Sequence, residues 1–93
     1  MQIKKEAIAG TLESNDIMIT LSEGKGINID LESSVKKQFG KQIEKVIRET
    51  LKSYDIKDAN VKAVDKGALD YVIMARVKTA IGRACETDEM RWI

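Results

Sequence analysis

No histidine occurs anywhere in the chain. That absence removes every Ser–His and Cys–His nucleophile pair, and it removes the commonest metal ligand. With one cysteine, Cys85, an internal disulfide is excluded and a zinc site would need carboxylates around a single thiolate, a poor donor set. A lone thiol also fits a reducing compartment, so the expected location is the cytoplasm. There is no proline, and aromatic residues make up only 4% of the chain. The longest wholly apolar run is YVIMA (71–75), far below the ~20 residues of a membrane span. The opening MQIKKEAIAG has basic residues with no apolar segment behind them, so no secretory signal is expected.

Charge of one sign is also missing. Sixteen Lys and Arg stand against fifteen Asp and Glu, a net charge of +1, with the signs interleaved along the chain. Nothing resembles the basic patch that nucleic-acid binding needs, so no nucleic-acid partner is expected. SEGKG (22–26) lacks the spacing of a phosphate-binding loop, and DKG (65–67) reads as a strand-to-helix turn rather than a catalytic pair. Cys85 reads as a small packed side chain. The chain therefore carries no catalytic equipment of its own.

What is present is patterning. At 93 residues, 43% of them hydrophobic, the chain has the length of one small domain, residues 1–93, with a modest core. DIMITL (16–21) puts Ile17, Ile19 and Leu21 on one face, and GINIDLE (26–32) alternates Ile27, Ile29 and Leu31 with Asn28, Asp30 and Glu32. Such alternation marks strands with one wet face. The glycine-bearing SEGKG loop between them predicts a hairpin. A weaker strand, EAIAGTL (6–12), places Ile8 and Leu12 on one side and small residues on the other, with ESND (13–16) as the tip of a first hairpin. From Ser34 the period changes. Val35, Phe39, Ile43, Val46, Ile47, Leu51 and Tyr54 form one stripe of a helix of about twenty residues, capped by Ser33 or Ser34.

NVKAV (60–64) is a short strand by residue type. In 67–84, Leu69, Val72, Ile73, Val77, Ala80, Ile81 and Ala84 fit a helical stripe, although the β-branched start also suits a strand. The predicted class is α+β, in the order βββαβα. It comprises an antiparallel sheet of three to four strands with two helices packed on one face. The tail 86–93 is expected to fray or to dock through Trp92.

On residue chemistry alone, Ser14 is a turn residue. It is not in the Asp-Ser-Leu setting of ordinary acyl carrier proteins, a tripeptide this chain lacks. Three blocks nevertheless carry a resemblance across roughly residues 3–85: AIAGTLESNDIMI (7–19), SSVKKQFG (33–40) and DKGALDYVIMARV (65–77). In that order and spacing they resemble the acyl carrier, or gamma, subunit of citrate lyase.

The resemblance implies that Ser14 carries phosphoribosyl-dephospho-coenzyme A through a phosphodiester, making the chain a phosphoprotein. The thiol of the arm would hold an acetyl thioester. The alpha subunit, a transferase, would exchange acetate for citrate, and the beta subunit, a lyase, would cleave the citryl thioester to oxaloacetate. The chain itself would be a non-catalytic carrier, loaded by a prosthetic-group transferase. Glu13 and Asp16 flank the serine, and two readings of them stay open: recognition groups for that enzyme, or solvating turn residues. The family pattern commonly has Gly where Asn15 stands, and Asn is the next-best residue for positive φ. Two other readings stay open: the related carrier of malonate decarboxylase, and a non-carrier α+β module that bridges partner subunits.

Overall fold

The alternating and helical segments fold into six elements in the predicted order, seen in a computed structural model that describes residues 1–86. They are β1 (Ala7–Ala9), β2 (Ile17–Ser22), β3 (Ile27–Ser33), α1 (Lys36–Ser53), β4 (Ala59–Asp65) and α2 (Asp70–Ala84). The expectation for Trp92 lies outside the described residues. Both helices cover one face of a four-stranded sheet, into which Ile17, Ile19 and Leu21 of β2 and Ala59, Val61 and Ala63 of β4 project. The class is α+β, as the patterning predicts.

The sheet is mixed, not antiparallel throughout. Its order is β1-β2-β4-β3, with β1–β2 and β2–β4 antiparallel and β3–β4 parallel. The expected hairpin between β2 and β3 is therefore absent, because β4 lies between them. The cause is the length of α1. Its 18 residues rise ~27 Å, enough to return the chain past the whole of β3, so the next strand must run parallel to it. The SEGKG loop crosses the start of β4 instead. Asn60 Nδ2 donates to the Glu23 carbonyl at 3.0 Å, the Gly26 amide donates to Asp58 Oδ1 at 2.8 Å, and the Ala59 amide donates to the Gly26 carbonyl at 2.9 Å.

Three local expectations change as well. Phe39 leaves the stripe of α1 and stands 55% exposed. Gln42 Nε2 donates to Asp70 Oδ2 at 2.8 Å, so α2 begins opposite Gln42 and offers nothing to the turn before it. Neither Ser33 nor Ser34 caps α1; Val35 occupies that position. Ser33 Oγ accepts the Val35 amide at 3.1 Å while donating to Asp65 Oδ2 at 2.7 Å, and so ties the start of α1 to the end of β4. The segment 67–84 is helical only from Asp70, which leaves Leu69 outside the stripe and 61% exposed.

In β1 the small side faces inward: Ala7 and Ala9 are buried while Ile8 is largely exposed. Small residues win here because α2 packs directly over this edge strand. Gly10, at φ +95°, completes the close approach, since a Cβ there would run into the Ile17 carbonyl of β2. Gly10→Ala is accordingly expected to cost about 2–4 kcal/mol in urea unfolding, through backbone strain and collision together.

Candidate functional site

The loop between β1 and β2 is the part of this scaffold that stands free of the core. The Asp16 amide donates to the Glu13 carbonyl at 3.2 Å, closing a four-residue turn with Ser14 and Asn15 at its centre. Asn15 has φ +65°, the left-handed conformation that Gly or Asn adopts most readily at the second central position. The departure from Gly at this position therefore leaves the turn intact.

The turn is anchored on one side by backbone. The Asn15 amide donates to the Lys66 carbonyl at 2.8 Å, and the Lys66 amide donates to the Asp16 carbonyl at 2.9 Å. These bonds continue the β2–β4 ladder one step past the Ile17–Asp65 pair. The turn that supplies Lys66 is itself held by Asp65, which is fully buried. Its carboxylate accepts from Ser33 Oγ at 2.7 Å and from the Gly67 and Ala68 amides at 3.1 and 3.0 Å. DKG is thus the strand-to-helix turn the sequence suggests, with Gly67 at φ +89° beneath Asn15.

A second anchor comes from side chains. Asp16 is only 9% exposed and turns inward, where Arg76 of α2 grips it with both arms of its guanidinium. Arg76 Nε donates to Oδ1 at 3.0 Å and Nη2 donates to Oδ2 at 2.8 Å. Oδ2 also accepts from Thr11 Oγ1 at 2.6 Å, and Oδ1 from the Ile17 amide at 2.7 Å. Thr11 and Asp16 are the two limbs of the loop, so one carboxylate ties them to each other and both to α2. The Arg76 hydrogen bonds, assisted by those from Thr11 and Ile17, hold the Asp16 carboxyl well below the usual carboxylate range despite its burial. Arg76 is raised in turn, chiefly by the same hydrogen bonds.

Of the three loop residues singled out from sequence, Ser14 and Glu13 face solvent and Asp16 does not. Ser14 Oγ has no hydrogen-bond partner among the described residues, so its hydroxyl is accessible and unengaged. Cys85, in contrast, is buried, and burial pushes its thiol up, which keeps it protonated and out of reach near neutral pH. Sequence reasoning missed Arg76 as part of this site. A signal was there: Arg76 sits in a largely apolar helix with Val72, Ile73, Thr79 and Ala80 three and four positions away, and none of these can pair with it. Among the described residues no group of three potential carboxylate or thiolate ligands gathers to hold a metal, and no helix is long and apolar enough to cross a membrane.

Known proteins share both this sequence and this architecture. The citrate lyase acyl carrier protein of Lactobacillus acidophilus is 61% identical over 90 residues, which cover 96% of this chain and 93% of that one. That of Oenococcus oeni is 60% identical over 94 residues, covering 99% and 97%. The chain belongs to the citrate lyase acyl carrier protein family. This is a family of carriers, not of catalytic subunits. The acyl carrier family model described as the malonate decarboxylase delta subunit (MdcD) also matches, over residues 4–84. A chain in the crystal structure of a Pseudomonas malonate decarboxylase hetero-tetramer in complex with malonate has the same fold, with a TM-score of 0.75 at 17% identity. The match covers 87% of this carrier and 84% of that chain.

The Asp16–Arg76 pair has a pH signature. Because the folded state lowers the Asp16 pKa, its contribution is complete above the ordinary Asp value of 3.8 and is lost as pH falls below it. Arg76→Ala is expected to cost about 1–3 kcal/mol near neutral pH, the range for stripping a partly buried carboxylate of its charged partner. The deficit should shrink as the pH is lowered from about 4 towards 2, where Asp16 protonates in the unfolded chain and in the variant. Urea unfolding of both proteins across that range measures it.

Proposed function

We propose that this chain is the acyl carrier subunit of a citrate lyase, and that Ser14 Oγ is the attachment point of its prosthetic group. The observation that carries the reading is the state of Ser14: an exposed, unbonded hydroxyl on a turn pinned by backbone on one side and by the Asp16–Arg76 fork on the other. A carrier needs that combination, because an arm swung from a fixed base reaches its targets at an effective concentration of order millimolar.

The group proposed is phosphoribosyl-dephospho-coenzyme A in phosphodiester linkage. The site fits it, since Ser14 is exposed and its hydroxyl stands clear of the core. When attached, the group supplies a thiol on a long arm that carries acyl groups as thioesters, a service Cys85 cannot give from its buried position. The chain's own part is to hold that base still. Among the described residues it places no hydrogen-bonded base on the Ser14 hydroxyl, so removal of that proton is assigned to the prosthetic-group transferase.

Electrostatics favour an arm that points outward. The charge of Asp16 is already neutralised by Arg76, so of the two flanking carboxylates a phosphodiester at Ser14 meets the exposed one of Glu13. In water at ~4 Å that repulsion is about 1 kcal/mol, enough to bias the arm without blocking attachment. The two flanking carboxylates then serve recognition differently. Glu13 is free to be read directly by the transferase, whereas Asp16 acts by presenting the turn.

The partners proposed are the alpha subunit, which exchanges acetate for citrate on the carrier, and the beta subunit, which releases oxaloacetate. Together they cleave citrate to acetate and oxaloacetate in the cytoplasm. The malonate decarboxylase carrier is the second reading, favoured by the family model and the shared fold. The near-full-length identity of about 60% to citrate lyase carriers weighs against it.

Intact-mass measurement on protein from a native source tests the reading. The wild-type chain should carry an adduct of several hundred daltons that is absent in Ser14→Ala. Glu13→Gln should be loaded more slowly by the transferase while keeping wild-type stability. An unmodified native chain would leave the non-carrier module as the better account, and an adduct that survives Ser14→Ala would overturn Ser14 as the attachment point.

A further inference from the structure

Although the charge signs interleave along the chain, folding gathers one of them. Helix α1 holds six of the sixteen basic residues and two of the fifteen acidic ones, a surplus of four on a chain of net charge +1, so the remainder is net acidic. At 3.6 residues per turn, Lys37, Lys41, Lys45, Arg48 and Lys52 fall within an arc of ~80°, on a line ~22 Å long. All five are exposed, on the side away from the buried Ile43, Ile47 and Thr50. Lys45 alone reaches a carboxylate, that of Glu49, at 3.8 Å between two well-exposed side chains, a contact of little strength. For Lys37, Lys41, Arg48 and Lys52 there is no partner among the described residues.

Such a row works against the helix that bears it. Lys37 and Lys41, Lys41 and Lys45, and Arg48 and Lys52 are like charges four residues apart, an arrangement that destabilises an isolated helix. Among the described residues the Lys45–Glu49 contact is the one ion pair along it. An acidic surface laid along α1 would relieve all three pairs at once.

The place of α1 in the fold says what such a surface would serve. In the order β1-β2-β4-β3, α1 packs over β3 at one edge, while the Ser14 turn joins β1 and β2 at the other, with α2 against those two strands. A partner seated on the outer face of α1 would leave the Ser14 turn open. A carrier that must serve two active sites has to be retained without its arm being covered, and two separate faces meet that need.

We propose that the exposed face of α1, from Lys37 to Lys52, is the surface by which this carrier is held to an acidic face on one of the catalytic subunits of its complex. This rests on the citrate lyase reading. A protein surface is favoured over nucleic acid because Glu44 and Glu49 border the row and no aromatic side chain lies on it for bases to stack upon.

The test is titration of the full-length carrier against the purified alpha and beta subunits at low and high salt, with three variants. Lys41→Glu/Arg48→Glu should bind at least tenfold more weakly than wild type at low ionic strength, with the gap narrowing as salt screens it. Lys41→Gln/Arg48→Gln should fall between. Lys57→Glu/Lys62→Glu makes the same change in net charge at exposed positions off α1 and should bind like wild type. Thermal melts like that of the wild type would show that the variants fold. Undiminished binding by the α1 variants, or an equal loss in the Lys57/Lys62 control, would overturn the inference while leaving the citrate lyase reading in place. So would tighter binding of the wild type to a duplex oligonucleotide than to either subunit. A wild-type carrier that binds neither subunit would instead overturn the citrate lyase reading, and this inference with it.

Discussion

The carboxylate of Asp16 is the point on which the loop depends. Four hydrogen bonds converge on it: one from the neighbouring backbone, one from Thr11 across the loop, and two from Arg76 on α2. A partly buried charge is costly unless it is paired and fully hydrogen-bonded, and this one is both. The consequence is directional. Because Asp16 is turned inward and held, the residues immediately before it are turned outward. Ser14 is presented because its near neighbour is fastened down.

The rest of the fold can be understood as support for that arrangement. The central position of β4 brings Asp65 and the turn after it beneath Asn15, so the main chain of the loop is bonded as well as its side chain. Asp65 in turn reaches Ser33 at the start of α1, which links the ends of β3 and β4 to the same corner. Gly10 lets β1 approach β2 closely enough for Thr11 to meet Asp16. β1, β2, β4 and α2 therefore meet at one rigid turn, and the Ser14 hydroxyl and the Glu13 carboxylate are left exposed on it. A site of this kind presents; it does not transform.

Much of this was legible in the sequence. The alternation of Ile17, Ile19 and Leu21 and the spacing of Ile43, Val46, Ile47 and Leu51 mark elements whose burial agrees with their pattern. ESND was recognisable as a turn from its residue types, and Asn15 as suited to positive φ. What the pattern could not carry was pairing at a distance. Alternation says which face of β2 is buried but not which strand lies beside it, and so SEGKG looked like a hairpin when α1 in fact dictates a parallel return. The partner of Asp16 lies sixty positions away, so the local sequence showed two similar surface carboxylates where the fold makes one structural and one free. Phe39 and Leu69 failed as core residues for a related reason: helical period places them on the correct side but says nothing about where the opposing helix begins.

The central claim is that Arg76, through Asp16, holds the Ser14 turn in place, and amide hydrogen exchange reads this most directly. In the folded wild-type carrier the Asn15 and Lys66 amides, which bond across the turn, should be protected to a degree approaching that of the β2–β4 ladder. In Arg76→Ala their protection should fall by about tenfold or more relative to the ladder amides at Met18 and Val64. If Asn15 and Lys66 exchange no faster against that internal reference, the turn is held by its backbone alone and the role assigned to Arg76 is wrong.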